Sequence, residues 1–299
     1  MKKLAKTLAV ISAILLLFAL LVGALYRIFT DKEWVRNEYE RIDIEYQSGF
    51  TVDQATFVLG KMMDYSMGFC DSLDDVSVEE NELFFYEKEL THMVDVRALT
   101  TRVMRLGFAA LISGAVLFVF SILILKREGA VFFSKAFLFV LGALLLVIAA
   151  LGIWMAVDFN SFWHAFHAVF LDIEGSYFDW HVSNMIRICP AELFSDFIKH
   201  FALIAGLGLI IPVGVSILFV CLRKKLFSDK QHLSGLSLLV YLIYSVSILG
   251  YGAYWLTRIS AFLGVGAIGL LTGSILSIIN ITRSRRERNA ASEAARKDE

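Results

Sequence analysis

Six long segments of the sequence contain no Asp, Glu, Lys or Arg, and this feature limits the possible folds more than any other. A helix needs about 20 apolar residues to cross the hydrocarbon core of a bilayer. Inside hydrocarbon, backbone N–H and C=O groups must be satisfied within the segment, which favours α-helix. The sequence therefore predicts an all-α integral membrane protein with six transmembrane helices: Thr7–Tyr26, Leu106–Leu125, Ala136–Val157, Phe201–Leu222, Gln231–Thr257 and Ile259–Thr282.

The first segment could also be a secretory signal peptide, because a basic MKK precedes it. The apolar part of a cleavable signal is about 7–15 residues long, whereas this uncharged stretch has 20 residues. We therefore expect it to remain as a membrane anchor.

Lysine and arginine cluster beside alternate ends of the predicted helices. Such an excess marks the cytoplasmic side, so both termini are expected in the cytoplasm of a multi-pass protein of the bacterial plasma membrane. The clusters are Lys2, Lys3 and Lys6 before the first helix, Lys126 and Arg127 after the second, residues 223–225 after the fourth, and Arg283, Arg285, Arg286 and Arg288 after the sixth.

The opposite side of the membrane receives two acidic segments. Residues 30–105 contain 17 Asp and Glu against 8 Lys and Arg, and residues 156–200 contain 6 against 2. The first segment is too long for a simple connection and should carry its own structure. We expect a small, mainly helical extracytoplasmic cap between helices 1 and 2 and between helices 3 and 4.

Local patterns predict several elements of this cap. Asp31–Tyr46 has regularly spaced apolar residues and is predicted as a helix, while Thr51 and Gln54 form a capping-box pattern at the start of another. Residues 70–82 are acidic and are predicted as turns. Pro190 suits the first turn of a helix that continues into the fourth span.

Residues 1–225 therefore form a four-helix membrane domain with its cap (30–105 and 156–200). Residues 226–282 form an additional transmembrane hairpin, and residues 283–299 a basic cytoplasmic tail. A transporter is disfavoured because the six segments lack Asp, Glu, Lys and Arg, which usually mark ion or substrate paths. The basic clusters are explained by topology and membrane lipids, so no nucleic acid partner is expected.

Two short stretches of the cap contain groups suited to catalysis. In ELTHMVDV, helical spacing places Glu89, His92 and Asp95 within about 120° of one another, and a carboxylate beside histidine can fix its tautomer. In SFWHAFHAVF, His164 and His167 lie among aromatic residues that include Phe166. A solvated acidic face and an interfacial aromatic belt are the alternative interpretations of these stretches.

A metal site is a further alternative, because His164 and His167 have the spacing HxxH. His92 would supply a third ligand, and Asp95 or Asp172 would complete the site of a metal-dependent membrane hydrolase. A non-catalytic membrane partner or assembly protein, docking through its acidic cap, is the remaining alternative. His92 and His167, however, belong to segments that enter the membrane through adjacent helices, so the two imidazoles can meet at the interface.

The sequence resembles the bacterial lipoprotein intramolecular transacylase family over about residues 1–225. The resemblance rests on the order of an N-terminal anchor, HMVDV (92–96), a short basic loop, FHAVF (166–170), ICPAELFSDF (188–197) and RKK (223–225). Residues 1–225 are thus a transacylase-like domain, and the hairpin 226–282 is an addition to the four-helix pattern.

The resemblance implies an acyltransferase that needs no cofactor. Such enzymes move a fatty acyl chain from the diacylglyceryl group of a lipoprotein to the α-amino group of its N-terminal cysteine, giving a lyso-form lipoprotein. It also implies that His92 and His167 are catalytic and that Asp95 supports them, and we add Glu89 and Phe166 as supporting residues. The active site is expected at the outer-leaflet interface.

Overall fold

The structure, a computed structural model, describes residues 1–79, 82–125, 127–171 and 178–226. This part of the chain is mostly α-helical, as predicted. Its elements are, in order, α1 (Lys2–Phe29), α2 (Lys32–Arg41), α3 (Ile44–Ser48), α4 (Val52–Met67), β1 (Ser77–Glu79), β2 (Glu82–Leu83), α5 (Glu87–Leu125), α6 (Arg127–Val157), α7 (Phe159–Phe170), α8 (Asn184–Ile188) and α9 (Ala191–Leu226).

Four of these helices are long and apolar enough to cross a membrane. The spans lie in α1, in α5, in α6 from Gly129 and in α9 up to Cys221. They coincide with the first four predicted spans, so that part of the prediction is confirmed. The fifth and sixth predicted spans and the basic tail fall on residues outside those that the structure describes.

Helix α5 joins a polar segment to an apolar one without a break, as predicted. Its 39 residues correspond to about 58 Å at the helical rise, whereas the hydrocarbon core is about 30 Å thick. The charge-free residues 106–125 supply the spanning part. The first turns of α5, which contain Glu89, His92 and Asp95, therefore precede the membrane-spanning segment.

Two helix starts follow the predicted signals. The Thr51 side chain accepts a hydrogen bond from the Gln54 backbone N–H, and the Gln54 side chain accepts one from the Thr51 N–H, which completes the capping box of α4. Helix α9 begins at Ala191, directly after Pro190. In both places the local sequence determines where the helix begins.

Two other local predictions were wrong in part. The helix predicted for residues 31–46 is divided into α2 and α3, because Asp43 has a positive φ of 53°. Aspartate tolerates this left-handed conformation better than most residues. The acidic stretch 70–82 contains strand β1 and the first residue of β2, which pair antiparallel with Ser77 opposite Leu83.

The chain divides into two compact units. One consists of Leu15–Ser113 and Leu141–Leu207 and contains all the predicted site residues that the structure describes. The other consists of Met1–Ile14, Gly114–Val140 and Gly208–Glu299. Within the described part of this second unit, Ser12 Oγ donates a hydrogen bond to the Gly114 carbonyl (2.7 Å), which joins α1 to α5.

The first unit has an apolar core formed mainly by the short helices α2, α3, α4 and α8 and the segment around β1 and β2, with the first turns of α5 and α9 packed against them. Tyr39 is fully buried in it, and its hydroxyl donates a hydrogen bond to the Ile188 carbonyl (2.7 Å), which ties α2 to the end of α8. The other buried members are Val35, Ile42, Ile44, Ala55, Val58, Leu59, Met62, Met63, Tyr65, Leu73, Val76, Phe84, Phe85, Met93, Met185, Ile188, Cys189 and Leu193.

Gly107 marks a close approach of α5 to α1, and replacing it with alanine should destabilise the protein. A Cβ atom there would lie 2.4 Å from Val22 Cγ1, and overpacking of this kind costs about 1–3 kcal/mol. Gly142→Ala is the matched control, because a Cβ at Gly142 has no described atom within 4 Å. Thermal unfolding in detergent should show a lower midpoint for Gly107→Ala than for Gly142→Ala, and equal midpoints would contradict the close packing.

Candidate active site

His92 and His167 lie side by side in the first unit. Their ring centroids are 6.1 Å apart and their planes differ by 18°. His92 belongs to the second turn of α5, and His167 to the last turn of α7. The structure thus brings together two histidines, predicted as catalytic, that lie in separate segments of the sequence.

Aromatic rings surround the pair. Phe178 meets His92 edge-on at 5.3 Å, and Trp163 lies 4.5 Å from the His167 ring. Phe166, predicted as a supporting residue, meets His167 edge-on at 5.6 Å. His167 is only 7% exposed. The two imidazoles therefore occupy a largely apolar environment.

The position of His167 determines its tautomer. Its Nδ1 lies 2.8 Å from the Trp163 carbonyl oxygen, one turn earlier in α7. A carbonyl can only accept a hydrogen bond, so Nδ1 carries a proton, and in the neutral form of the ring the lone pair lies on Nε2. The ring is thereby oriented with a proton acceptor at Nε2.

Burial changes the acid–base behaviour of His92. Desolvation, followed by the nearby His167, lowers the pKa of His92 from 6.5 to about 4, and the Asp95 carboxylate acts in the opposite direction. His92 is therefore neutral at physiological pH. The contribution of Asp95 to the site is this electrostatic one, from a half-buried position one turn further along α5.

Glu89, predicted as a supporting residue, is buried and forms hydrogen bonds with the start of α8. It is 1% exposed, and its carboxylate accepts hydrogen bonds from the Tyr86 N–H (2.8 Å), the Met185 N–H (3.0 Å) and the Ser183 hydroxyl. Ser183 is also the N-cap of α8. Glu89 thus joins the start of α5 to the start of α8 and positions the helix that carries His92.

The two histidines of the HxxH pair differ in exposure. His164 is exposed and His167 is buried, at positions about 60° apart around the axis of α7. Asp172 lies outside the described residues. Within the described part of the chain, no three His, Cys, Asp or Glu side chains come together as metal ligands would.

The cysteines offer no activated nucleophile near the histidines. Cys189 is buried, and burial, together with the charge of Glu89, raises the pKa of its thiol to about 12. A thiolate is the reactive form, so Cys189 is a packing residue. Cys70 and Cys221 are free thiols as well.

Three residues of the site were missed in the sequence analysis. Trp163 orients His167, Phe178 covers His92, and Ser183 binds Glu89. Trp163 could have been found, because a side chain four residues before a helical histidine lies on the same face. The other two depend on contacts between distant parts of the chain.

Replacing Glu89 with alanine should destabilise the protein. The change removes the acceptor of two backbone N–H groups and one hydroxyl inside the protein, and unsatisfied buried groups cost about 1–3 kcal/mol each. We expect the free energy of unfolding to fall by at least about 2 kcal/mol. The exposed Glu87→Ala is the control. An unfolding midpoint for Glu89→Ala equal to that of the control would contradict this role.

The pKa of His92 can be measured by NMR titration of the histidine side chains in detergent, with His92→Gln to assign its signal. We expect a midpoint near 4. Because the unfolded chain takes up this proton near pH 6.5 and the folded protein does so only near 4, His92 should make the protein less stable as the pH falls from 6.5 to 4. A midpoint at or above 6.5 would show that His92 is not buried in this way.

The chain shares sequence and fold with a known group of membrane proteins. The family model described as "Lipoprotein intramolecular transacylase Lit" matches residues 9–194, well over half of the chain. No curated protein matches the sequence.

Similar solved structures include the membrane-integral lipoprotein intramolecular transacylase Lit from Bacillus cereus. It has 16% sequence identity and a TM-score of 0.58, over 77% of this chain and 99% of that chain. A variant of that protein with one histidine replaced by alanine matches with 16% identity and a TM-score of 0.54, over 76% and 96% of the two chains. A variant with histidine replaced by arginine matches with 18% identity and a TM-score of 0.52, over 77% and 93%.

The structural likeness shows a shared fold, and the family match extends through both histidine-bearing segments. This chain therefore belongs to the lipoprotein intramolecular transacylase (Lit) family.

Proposed function

We propose that this protein moves a fatty acyl chain from the diacylglyceryl group of a lipoprotein to the α-amino group of the same N-terminal cysteine. The single observation that carries the proposal is the pair of imidazoles, His92 and His167, held 6.1 Å apart in an apolar environment. Family membership supplies the reaction type. Among the described residues, no group of three metal-ligating side chains favours the metal-hydrolase alternative.

His167 is the general base of the proposed reaction. An α-amino group has a pKa of about 7.7–8.0, so a substantial fraction is neutral near neutral pH and can attack the ester carbonyl. The amine loses a proton as the C–N bond forms, and His167 Nε2 accepts it. The Trp163 carbonyl, which accepts the Nδ1 hydrogen bond, favours the resulting imidazolium.

His92 is the electrophilic partner. A pKa of about 4 makes it a weak base but keeps it neutral, and a neutral imidazole N–H can donate a hydrogen bond to the oxyanion of the tetrahedral intermediate. The intermediate collapses by breaking the ester C–O bond. The glycerol oxygen then receives the proton held by His167, so the ester becomes an amide and no proton is gained or lost.

The substrate itself provides much of the proximity that the reaction needs. The attacking amine and the ester belong to one modified cysteine, so the protein only has to select a reactive conformation. The proposed reaction therefore needs no covalent intermediate, external energy source or cofactor. The acyl chains remain in the leaflet, which places the reaction at the membrane interface.

The charge distribution supports an orientation with the site at the outer leaflet. The predicted spans are flanked by basic residues on one side and by the acidic segments 30–105 and 156–200 on the other. Basic flanks mark the cytoplasmic side. We infer that both termini are cytoplasmic, that the acidic segments form an extracytoplasmic cap, and that a hairpin at 226–282 completes six spans.

Four variants test the roles of the two histidines. His167→Ala and His167→Gln should each lower the rate of acyl transfer about 10²–10⁴-fold, because neither side chain can act as a base. His92→Ala should lower it by about 10²–10³-fold, whereas His92→Gln should lose less, because its amide N–H can still donate to the oxyanion. Mass spectrometry of the N-terminal peptide of a reporter lipoprotein measures the N-acyl, S-monoacyl product.

His164→Ala and His181→Ala are the controls, since both side chains are exposed and should leave product formation unchanged. Wild-type product in His92→Ala and His167→Ala would refute the proposal. Loss of product in His164→Ala would instead favour the metal site. If His92→Gln formed product no faster than His92→Ala, His92 would not be the hydrogen-bond donor to the oxyanion.

A further inference from the structure

Positive side chains in the first unit are almost all paired. Nine of its eleven Lys and Arg side chains lie against a carboxylate, a carbonyl or amide oxygen, or an aromatic ring. The pairs are Arg27–Asp31, Lys32–Asp64, Arg36–Asp53, Arg41–Glu38, Lys61–Phe57, Lys88–Phe178, Arg97–Asp71, Arg187–Ser48 and Lys199–Asp196. In an acidic unit this pairing is expected.

Arg102 and Arg105 are the exceptions. Both side chains are exposed, and neither has a hydrogen bond, ion pair or ring contact with the described part of the chain. They line an open groove on α5 with a volume of about 520 Å³, together with Ala98, Thr101, Leu106 and Ala109. Two uncompensated charges thus share one groove.

The two guanidinium groups can reach the same anion. Residues three apart on a helix are about 4.5 Å apart along the axis and about 60° apart around it, so both arginines lie on one face. Small residues beside them, Ala98 and Ala109, leave the groove open. A phosphate group matches this arrangement, because guanidinium groups bind phosphate oxygens through paired, charge-assisted hydrogen bonds.

The position of the groove along α5 indicates which phosphate it would meet. Arg105 directly precedes the charge-free segment 106–125, so the arginines belong at the level of lipid headgroups. Leu106 and Ala109 extend the same groove into the apolar segment. An acidic peptide would match the charge, but it would leave this apolar extension without a complementary group.

We propose that this groove binds one anionic phospholipid. Its phosphate is held by Arg102 and Arg105, and the first part of an acyl chain lies along Leu106 and Ala109. The site is separate from the histidine pair, because Arg102 lies about 15 Å further along α5 than His92. It does not depend on the proposed transacylation, and its occupant is a lipid that is not consumed.

The test uses the full chain in detergent and native mass spectrometry of lipid adducts. Phosphatidylglycerol, phosphatidylcholine and diacylglycerol with identical acyl chains are titrated in parallel. We expect the tightest binding for phosphatidylglycerol and the weakest for diacylglycerol. The double variant Arg102→Gln/Arg105→Gln should lower the affinity for phosphatidylglycerol about tenfold or more, because it removes both charge-assisted contacts.

The matched control is Arg36→Gln/Lys61→Gln, which removes the same net charge from two exposed side chains of the same unit. It should bind phosphatidylglycerol like the wild type. Equal losses in both double variants would show a non-specific charge effect and overturn the proposal, as would wild-type binding by Arg102→Gln/Arg105→Gln.

Two further comparisons separate the remaining explanations. Arg102→Lys/Arg105→Lys keeps the charge but lacks the guanidinium fork, so it should lose less affinity than the glutamine variant. Equal loss would show that the positive charges do not contribute to binding, and this would overturn the proposal. Glycerol phosphate should not displace the lipid at equal concentration, because it lacks the acyl chain. Displacement would show that the groove recognises phosphate without lipid, which would also overturn the proposal.

Discussion

The buried carboxylate of Glu89 is the interaction on which the arrangement of the candidate site depends. An ionised carboxylate inside a protein costs several kcal/mol in lost hydration unless its oxygens are satisfied. Here two backbone N–H groups and the Ser183 hydroxyl satisfy it. Because one donor belongs to the start of α5 and the other two to the start of α8, the carboxylate fixes these helix ends together. His92 lies one turn further along α5, so its position follows from this contact.

The same apolar environment gives the two imidazoles different properties. His92 is held neutral because burial and its neighbour His167 both disfavour a positive charge. His167 instead has a carbonyl acceptor at Nδ1, which holds a proton on that nitrogen. Two identical side chains thus differ because of their surroundings, as the proposed roles of base and neutral hydrogen-bond donor require.

The sequence predicted the parts of this protein that follow from local or one-dimensional patterns. Charge-free segments located four described spans, Thr51 and Pro190 located helix starts, and two short stretches located His92 and His167. The break at Asp43 was missed because a left-handed residue inside a polar, helix-compatible stretch leaves no periodic signal. The role of Glu89 was missed because helical spacing places it near His92, whereas its partners are about a hundred residues away in the chain.

The two histidines belong to helices of different length and composition. His92 belongs to α5, whose depth is set by the long apolar segment that continues it. His167 belongs to the short α7, whose rings stack along one side and whose Val169 and Phe170 remain exposed, as expected for a helix lying in the interface. In the proposed arrangement, the interface would set the depth of α7 and the apolar segment 106–125 that of α5, so that the two rings meet at one level. A lipid environment would therefore help to bring together the pair of imidazoles that acts on a membrane-anchored ester.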